Sequence, residues 1–331
     1  MITRSGNGKP SQDENALEQG FREVPGKSTY SIKASINSFI FFYCLFVDCK
    51  TRHQNHPSSV EIAMKKLTAL TALTLAVLSG LAHADRLEDI KKSGVLRVAS
   101  FDSNPPFGFI DAKSKQIEGL DVDYAKAIAD KLGVKLQLQP TNPANRVPLL
   151  VANKVDLVLA NFTITPERAE QVNFSIPYFS SGQQFIVKKG TLKSQDDLNK
   201  WRVGVDKGTV NEGVLREKFP GAKVVAYDDT PFAFTALRNG NVQAITQDGP
   251  KLIGLLANVP DKDKYEVPPF TISNDLIGVG LPKGEAALTE VVNQTLVELE
   301  SKGQAQKIYD TWFGPDTKTP LTRLYKIGDK S

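Results

Sequence analysis

Three short polar runs each follow an apolar stretch, and together they hold the side chains with which this chain could bind a small charged molecule. The first is Asn161, Thr163 and Arg168, which follows Leu157-Val158-Leu159-Ala160 within the segment 156–178. The second is Asp206-Lys207-Gly208-Thr209-Val210-Asn211, and the third is Gln247-Asp248, just ahead of Gly249-Pro250. A guanidinium, hydroxyls and the free backbone N–H groups of a helix start suit a carboxylate. Asp248 with Thr163 suits an ammonium. Joined, the two halves describe a free α-amino acid, a zwitterion of fixed geometry. Each side chain also has a plainer use. Asp248 before Gly249-Pro250 fits equally well as a helix N-cap, and Arg168 can pair with Glu167 or Glu170 on a solvated face. Thr163 and Thr165 fit as ordinary strand-end and cap residues. Gly208-Thr209 is too short for a phosphate loop, and no Walker spacing occurs.

Composition removes most catalytic chemistry. All three histidines (His53, His56, His83) and both cysteines (Cys44, Cys49) lie before residue 85. Beyond that point the usual ligands for structural zinc are absent, as is any Ser-His-Asp or Cys-His group. No metal and no cofactor is expected. The formal net charge is +4, and most of that excess falls before residue 85. The remainder is close to balance, which gives no argument for a polyanion, so no nucleic-acid partner is expected.

The same early region reads as a targeting segment. Residues 65–84, KKLTALTALTLAVLSGLAHA, combine two lysines, an apolar core from Leu67 to Leu81, and Ala82-His83-Ala84 at the end. That is the layout of a secretory signal peptide, with cleavage expected after Ala84. Met64 is the methionine that starts it. Residues 1–63 are therefore expected to be an upstream extension outside the native protein, with 64–84 as the signal peptide. The alternative is a genuine N-terminal region with the apolar run 39–47 as an anchor, but that run is too short to span a bilayer. The exported chain is expected in the periplasm, with a core rather than disulfides for its stability.

The elements that must position the three clusters alternate between strand and helix. Residues 86–93 read as a helix stopped by Gly94, and 95–99 as a strand, followed by a turn-rich loop at 101–107. Asp121 can cap a helix over 122–132 that ends at Gly133, with Val122, Ala125, Ile128, Ala129 and Leu132 on one face. A strand at 134–139, a helix near 145–153 and a central strand from Asp156 follow. Thr165-Pro166-Glu167 has the form of a helix start: hydroxyl cap, proline at the first position, acid in the first turn. After an extended piece at 183–188, strands are expected at 202–205, 223–226 and 242–246, with helices to about 219, over 231–239, and from 248 to 257. A strand at 277–281, a long amphipathic helix over 285–302 and a last helix over 304–313 complete the pattern. Short turns between alternating strands and helices predict two α/β units with mostly parallel sheets. Ligands in such sheets bind beyond the carboxyl ends of strands, so the three clusters can converge if the two units face each other.

From Gly94 to Phe313 the chain resembles the polar-amino-acid family of extracytoplasmic solute-binding proteins that serve ABC importers. The matching residues are Gly119-Leu120-Asp121-Val122-Asp123, residues 145–150 (NRVPLL), Asp156-Leu157-Val158, residues 163–168 (TITPER), residues 173–178 (NFSIPY), residues 205–209 (VDKGT), and Asp248. The resemblance implies a two-lobe α/β fold of the type II periplasmic-binding class, each lobe a mostly parallel sheet flanked by helices. It places lobe I at 85–183 plus 277–331 and lobe II at 184–276, with crossings near 181–186 and 274–278. It also implies that Arg168 holds the α-carboxylate with the Thr163 backbone and the Thr209-Val210-Asn211 region. Asp248 takes the α-ammonium with the Thr163 hydroxyl and the carbonyl near Asn161 and Phe162. Phe101, Asn104 and Phe107 line the wall of the first lobe. Arg146 matches an arginine that, in members taking acidic amino acids, reaches a side-chain carboxylate, which favours glutamate or aspartate. Two departures keep asparagine, glutamine or another polar amino acid as alternatives: some acidic-ligand members carry a lysine in place of Phe101, and Asn161 replaces a common glycine.

The expected function is therefore ligand capture and delivery to an ABC-type permease by a monomeric chain, without catalysis. One rival is a dehydratase on the same fold, acting on a prephenate-like acid and needing a general acid at the cleft. A second is a detached sensory module that binds an amino acid and signals.

Overall fold

The computed structural model describes residues 86–329; the upstream extension (1–63), the apolar run 39–47 and the signal peptide (64–84) lie outside the described residues. No helix among the described residues is long and apolar enough to cross a membrane.

Helix α1 (Arg86–Ser93) and strand β1 (Val95–Phe101) lead into a small three-stranded sheet made of β2 (Ser103–Asn104), β3 (Gly108–Ile110) and β4 (Ile117–Glu118). Then come α2 (Leu120–Leu132), β5 (Lys135–Thr141), a single tight turn at Pro143–Asn145 and the short helix α3 (Arg146–Val151). Strand β6 (Leu157–Val158), helix α4 (Pro166–Gln171) and strand β7 (Asn173–Ser181) follow. The middle of the chain supplies β8 (Gln183–Lys188), β9 (Arg202–Asp206), α5 (Val210–Lys218), β10 (Lys223–Tyr227), α6 (Thr230–Arg238), β11 (Ala244–Asp248), α7 (Gly249–Ala257) and β12 (Tyr265–Glu266). Strand β13 (Asp275–Leu281) and helices α8 (Ala286–Ser301) and α9 (Gln304–Phe313) end it.

Two five-stranded sheets organise these elements, in the orders β5-β1-β6-β13-β7 and β10-β9-β11-β8-β12. In each, two of the four pairings are parallel and two antiparallel, so that one strand, β13 in the first sheet and β8 in the second, runs against the other four. The expected parallel pairing thus describes the strand–helix–strand part of each sheet only. The antiparallel strands are those reached without a helical crossover: β8 follows β7 through the single residue Gly182, and β13 returns from the second sheet. The two passages touch. The Gln183 N–H donates to Ser273 Oγ at 3.0 Å, Ile272 N–H to the Gln183 carbonyl at 3.0 Å, and a Cβ on Gly182 would stand 2.7 Å from the Ser273 carbonyl oxygen.

Both sheets are covered on both faces, as alternation along the strands requires. In β1, Leu96 and Val98 join the core beneath α2, α8 and α9, while Ala99 and Phe101 join Leu150, Val158 and Phe162 on the opposite face. In the second sheet, Ile186 and Ile245 face one cluster and Phe185, Val187 and Val203 the other. Each buried side chain of this size contributes roughly 1.5–3 kcal/mol.

The start of α2 differs from the expectation. Gly119, at φ 146, precedes the helix, where a Cβ would lie 2.2 Å from the Phe107 carbonyl oxygen. Asp121 therefore sits inside the first turn and does not cap. Its buried carboxylate instead accepts the Asn161 N–H at 2.8 Å and the Tyr178 hydroxyl at 2.6 Å.

Candidate functional site in the cleft between the sheets

The carboxyl ends of β1 and β6 face those of β9 and β11 across a cleft. Phe101, Arg146, Asn161, Thr163, Thr209, Val210, Asn211 and Asp248 line one small, nearly filled space of about 10 Å³ there, with Pro143, Gln247 and Lys251. The three polar clusters of the sequence do converge.

On the side of the first sheet, Thr165 caps α4 as its sequence implies, its hydroxyl accepting the Arg168 N–H at 3.2 Å. This first turn directs the Arg168 side chain back toward the strand end. Its Nη1 donates to the Thr163 carbonyl at 2.7 Å, and its Cζ lies 4.8 Å from the centre of the Phe162 ring. Neither Glu167 nor Glu170 pairs with it, so the solvated-face alternative does not apply. Arg146 opens α3, is 2% exposed, and lies against the same ring at 4.8 Å. Its Nε donates to the Pro143 carbonyl at 3.0 Å and its Nη1 to the carbonyls of Ala160 at 3.1 Å and Asn161 at 2.9 Å. Burial, and then the neighbouring charge of Arg168, push the Arg146 pKa down to about 9. Burial likewise lowers Arg168, to about 10.

On the side of the second sheet, Asp248 ends β11 and is 2% exposed. It precedes α7 but makes no side-chain capping bond, so its carboxylate is free for other partners. Asn161 Nδ2 donates to it from the first lobe, and Asn211 Nδ2 lies 3.5 Å away. Asn161 holds a left-handed backbone, φ 45, which asparagine tolerates better than most residues. The Oδ1 atoms of Asn161 and Asn211 are both buried without a partner. Thr209 precedes α5, and the first residues of that helix, Val210 and Asn211, face the same space. The Gly208 carbonyl accepts from Arg168 Nη2 at 3.1 Å and Arg146 Nη2 at 3.4 Å, across the cleft.

Two expected wall residues sit elsewhere. Phe107 is a correction: it is fully buried in the core of the first lobe, edge-on to Phe179 at 5.2 Å and against Phe313 at 5.9 Å, because its backbone is held by the start of α2. Asn104 is not among the lining residues either. Its Nδ2 donates to the Asp229 carboxylate at 2.9 and 3.0 Å, and the Ser103 hydroxyl donates to the same group. It bridges the lobes at the rim. Phe162 lies beneath both arginines as a floor.

Sequence reading missed Lys251. It is 3% exposed, its Nζ lies 3.2 Å from Asp206 Oδ2 and 4.9 Å from the centre of the Phe101 ring. The signal was present: it is the one charged residue in the otherwise apolar helix GPKLIGLLA. Asp206 Oδ2 also accepts from Thr230 Oγ1 at 2.6 Å and Gln247 Nε2 at 2.7 Å, and burial raises its pKa.

Two lobes joined by paired crossings, with charged groups at opposed strand ends, define a type II periplasmic-binding fold. Residues 96–315 match the model of the bacterial extracellular solute-binding proteins, family 3, and the chain belongs to that family. It is 35% identical over 233 residues to the L-cystine-binding protein TcyJ of Escherichia coli (strain K12), covering 70% of this chain and 86% of the relative. It is 29% identical over 288 residues to the glutamate/aspartate import solute-binding protein of Salmonella typhimurium, covering 81% and 95%. Among solved structures, an ancestral arginine-binding protein bound to arginine superimposes with a TM-score of 0.63, at 39% identity, over 67% of this chain and 99% of the other. Its relatives are thus amino-acid-binding proteins of ABC import.

Proposed function

We propose that the protein binds a free polar L-amino acid in this cleft, with glutamate or aspartate preferred, and delivers it to an ABC-type permease. The observation that carries the preference is the charge around the cleft. Arg146 and Lys251 line the space and Arg168 stands beside it; Asp248 is the one carboxylate among the lining residues, and Asp206 pairs with Lys251. Neither arginine is in an ion pair among the described residues. A ligand with two carboxylates and one ammonium brings the net negative charge that balances this set.

Arg168 then takes the α-carboxylate, together with the first backbone N–H groups of α5 at Val210 and Asn211. Asp248 takes the α-ammonium, with the Thr163 hydroxyl and the free Oδ1 atoms of Asn161 and Asn211 as further acceptors. Arg146 spends most of its donors on carbonyls and contributes chiefly its charge. The contacts that now bridge the lobes, Asn161 to Asp248 and the arginines to Gly208, break as the lobes open to admit the ligand and are replaced by ligand contacts when they close around it. The division at 183/184 and 276/277 gives two rigid bodies for that motion. Signal cleavage after Ala84, release to the periplasm as a monomer and docking of the closed form on the permease complete the reading.

A thermal-shift screen over the twenty amino acids tests it, since a ligand that binds only the folded state raises the melting temperature. Glutamate and aspartate are expected to give the largest shifts. No shift with any amino acid overturns the reading, and product formed from prephenate favours the dehydratase instead.

A further inference from the structure

We infer that Lys251 is the residue that reads the ligand's side chain, donating to its terminal carboxylate from the second lobe. This rests on the cleft being the amino-acid site, and it assigns the preference to a residue outside the sequence-derived set.

An ammonium has three N–H donors. One is directed to Asp206 Oδ2 at 3.2 Å, and that is the one hydrogen bond Lys251 Nζ makes among the described residues. The side chain is buried, lines the cleft, and has the face of Phe101 beneath it at 4.9 Å. Two donors of a buried cation thus lack acceptors, and Lys251 stands among the residues that line the cleft. Arg146, by contrast, already directs Nε and Nη1 to three carbonyls, and its remaining reach is the long Nη2 contact to Gly208. Of the two cations beyond Arg168, Lys251 is the one with donors to give.

Asp206 makes this ammonium a positioned group. Its Oδ2 is fixed by Thr230 and Gln247 as well as by Lys251, which anchors the long side chain at its tip. An α-carboxylate held at Arg168 and an ammonium at Asp248 leave the ligand's side chain to extend toward the remaining wall, where Phe101 and Lys251 stand.

The test compares glutamate with glutamine, and aspartate with asparagine, by calorimetry on the wild type and on Lys251→Met. The variant is expected to lose roughly 10- to 100-fold in affinity for the acids and to change little for the carboxamides, so that the acid-to-amide ratio collapses. Lys251→Met leaves Asp206 buried without its cation, so the double variant Asp206→Asn/Lys251→Met, which removes both charges and keeps an acceptor for Thr230 and Gln247, is measured beside it. A ratio that is unchanged in whichever variant melts cooperatively overturns the role of Lys251 while the binding function stands. A wild type that binds no amino acid overturns the function itself.

Discussion

Arg146 and Arg168 share one aromatic ring: each guanidinium carbon lies 4.8 Å from the centre of Phe162. Like charges brought this close in a buried site repel, and the ring face with its carbonyl partners offsets part of that cost. The two arginines nonetheless do different work. Arg146 ties Pro143, Ala160 and Asn161 together through their carbonyls, whereas Arg168 touches Thr163 on its own side and Gly208 across the cleft.

Substitution should separate these roles. Arg168→Ala removes the carboxylate partner and is expected to cost about 3–5 kcal/mol of binding, because a ligand charge is left buried and unpaired. Its urea midpoint should stay near that of the wild type. Arg146→Ala leaves several buried carbonyls unsatisfied and is expected to lower folding stability by about 2–3 kcal/mol. Calorimetry and urea titration on the pair would show the division; equal binding and equal folding losses in both would refute it.

Asp248 permits a sharper contrast. It stands where an N-cap belongs, yet its side chain makes no capping bond to α7. Asp248→Asn should therefore preserve the melting temperature within a few degrees. Ligand affinity is expected to fall by about 3 kcal/mol or more, since a neutral amide replaces the counter-charge of the ammonium. A variant that melts early with its affinity intact would make Asp248 a structural residue.

Much of this was legible in the sequence, and the omissions have physical causes. The Thr165-Pro166 helix start, the extended piece Gln183–Lys188 and the helix Arg86–Ser93 all stand where local signals place them. Strand β7, with Pro177 and three serines among its nine residues, carries no clear alternation and was not assignable from local pattern. Convergence of the three clusters followed from the strand-end rule. The burial of Phe107 and the bridging of Asn104 to Asp229 depend on long-range contacts, which no local spacing encodes. Lys251 escaped because a lysine near a helix start ordinarily points to water.

The buried Asp121 predicts a pH effect. Desolvation raises its pKa to about 7, against the contrary pull of the Tyr178 and Asn161 hydrogen bonds. The raised value means that the folded state holds the proton more tightly than the unfolded chain, whose value lies near 3.8. Its contribution is therefore fully present below the unfolded pKa and is lost as pH rises to about 7. Asp121→Asn cannot ionise. Urea midpoints measured across this window should show the wild type losing stability relative to the variant as pH rises, and parallel profiles would contradict the assignment.

Closure itself can be tested at Gly254, which lies in α7 away from the ligand groups. A Cβ there would stand 2.1 Å from the carbonyl oxygen of Pro105, which follows β2 in the first lobe. The same rim holds Asn104 and Ser103 against Asp229. Alanine in a helix is favoured over glycine by about 1 kcal/mol, so Gly254→Ala should not weaken folding of the second lobe. The added methyl instead obstructs the approach of α7 to Pro105, and neither partner at this contact is a flexible side-chain tip. Because the ligand's two charged ends are held from opposite lobes, an obstructed rim leaves those contacts incomplete. Gly254→Ala is expected to bind roughly 10-fold or more weakly, since only the closed state completes the site. Small-angle scattering at saturating ligand should show a smaller contraction than in the wild type. Wild-type affinity together with full contraction would mean that the close approach of Gly254 to Pro105 is not needed for closure.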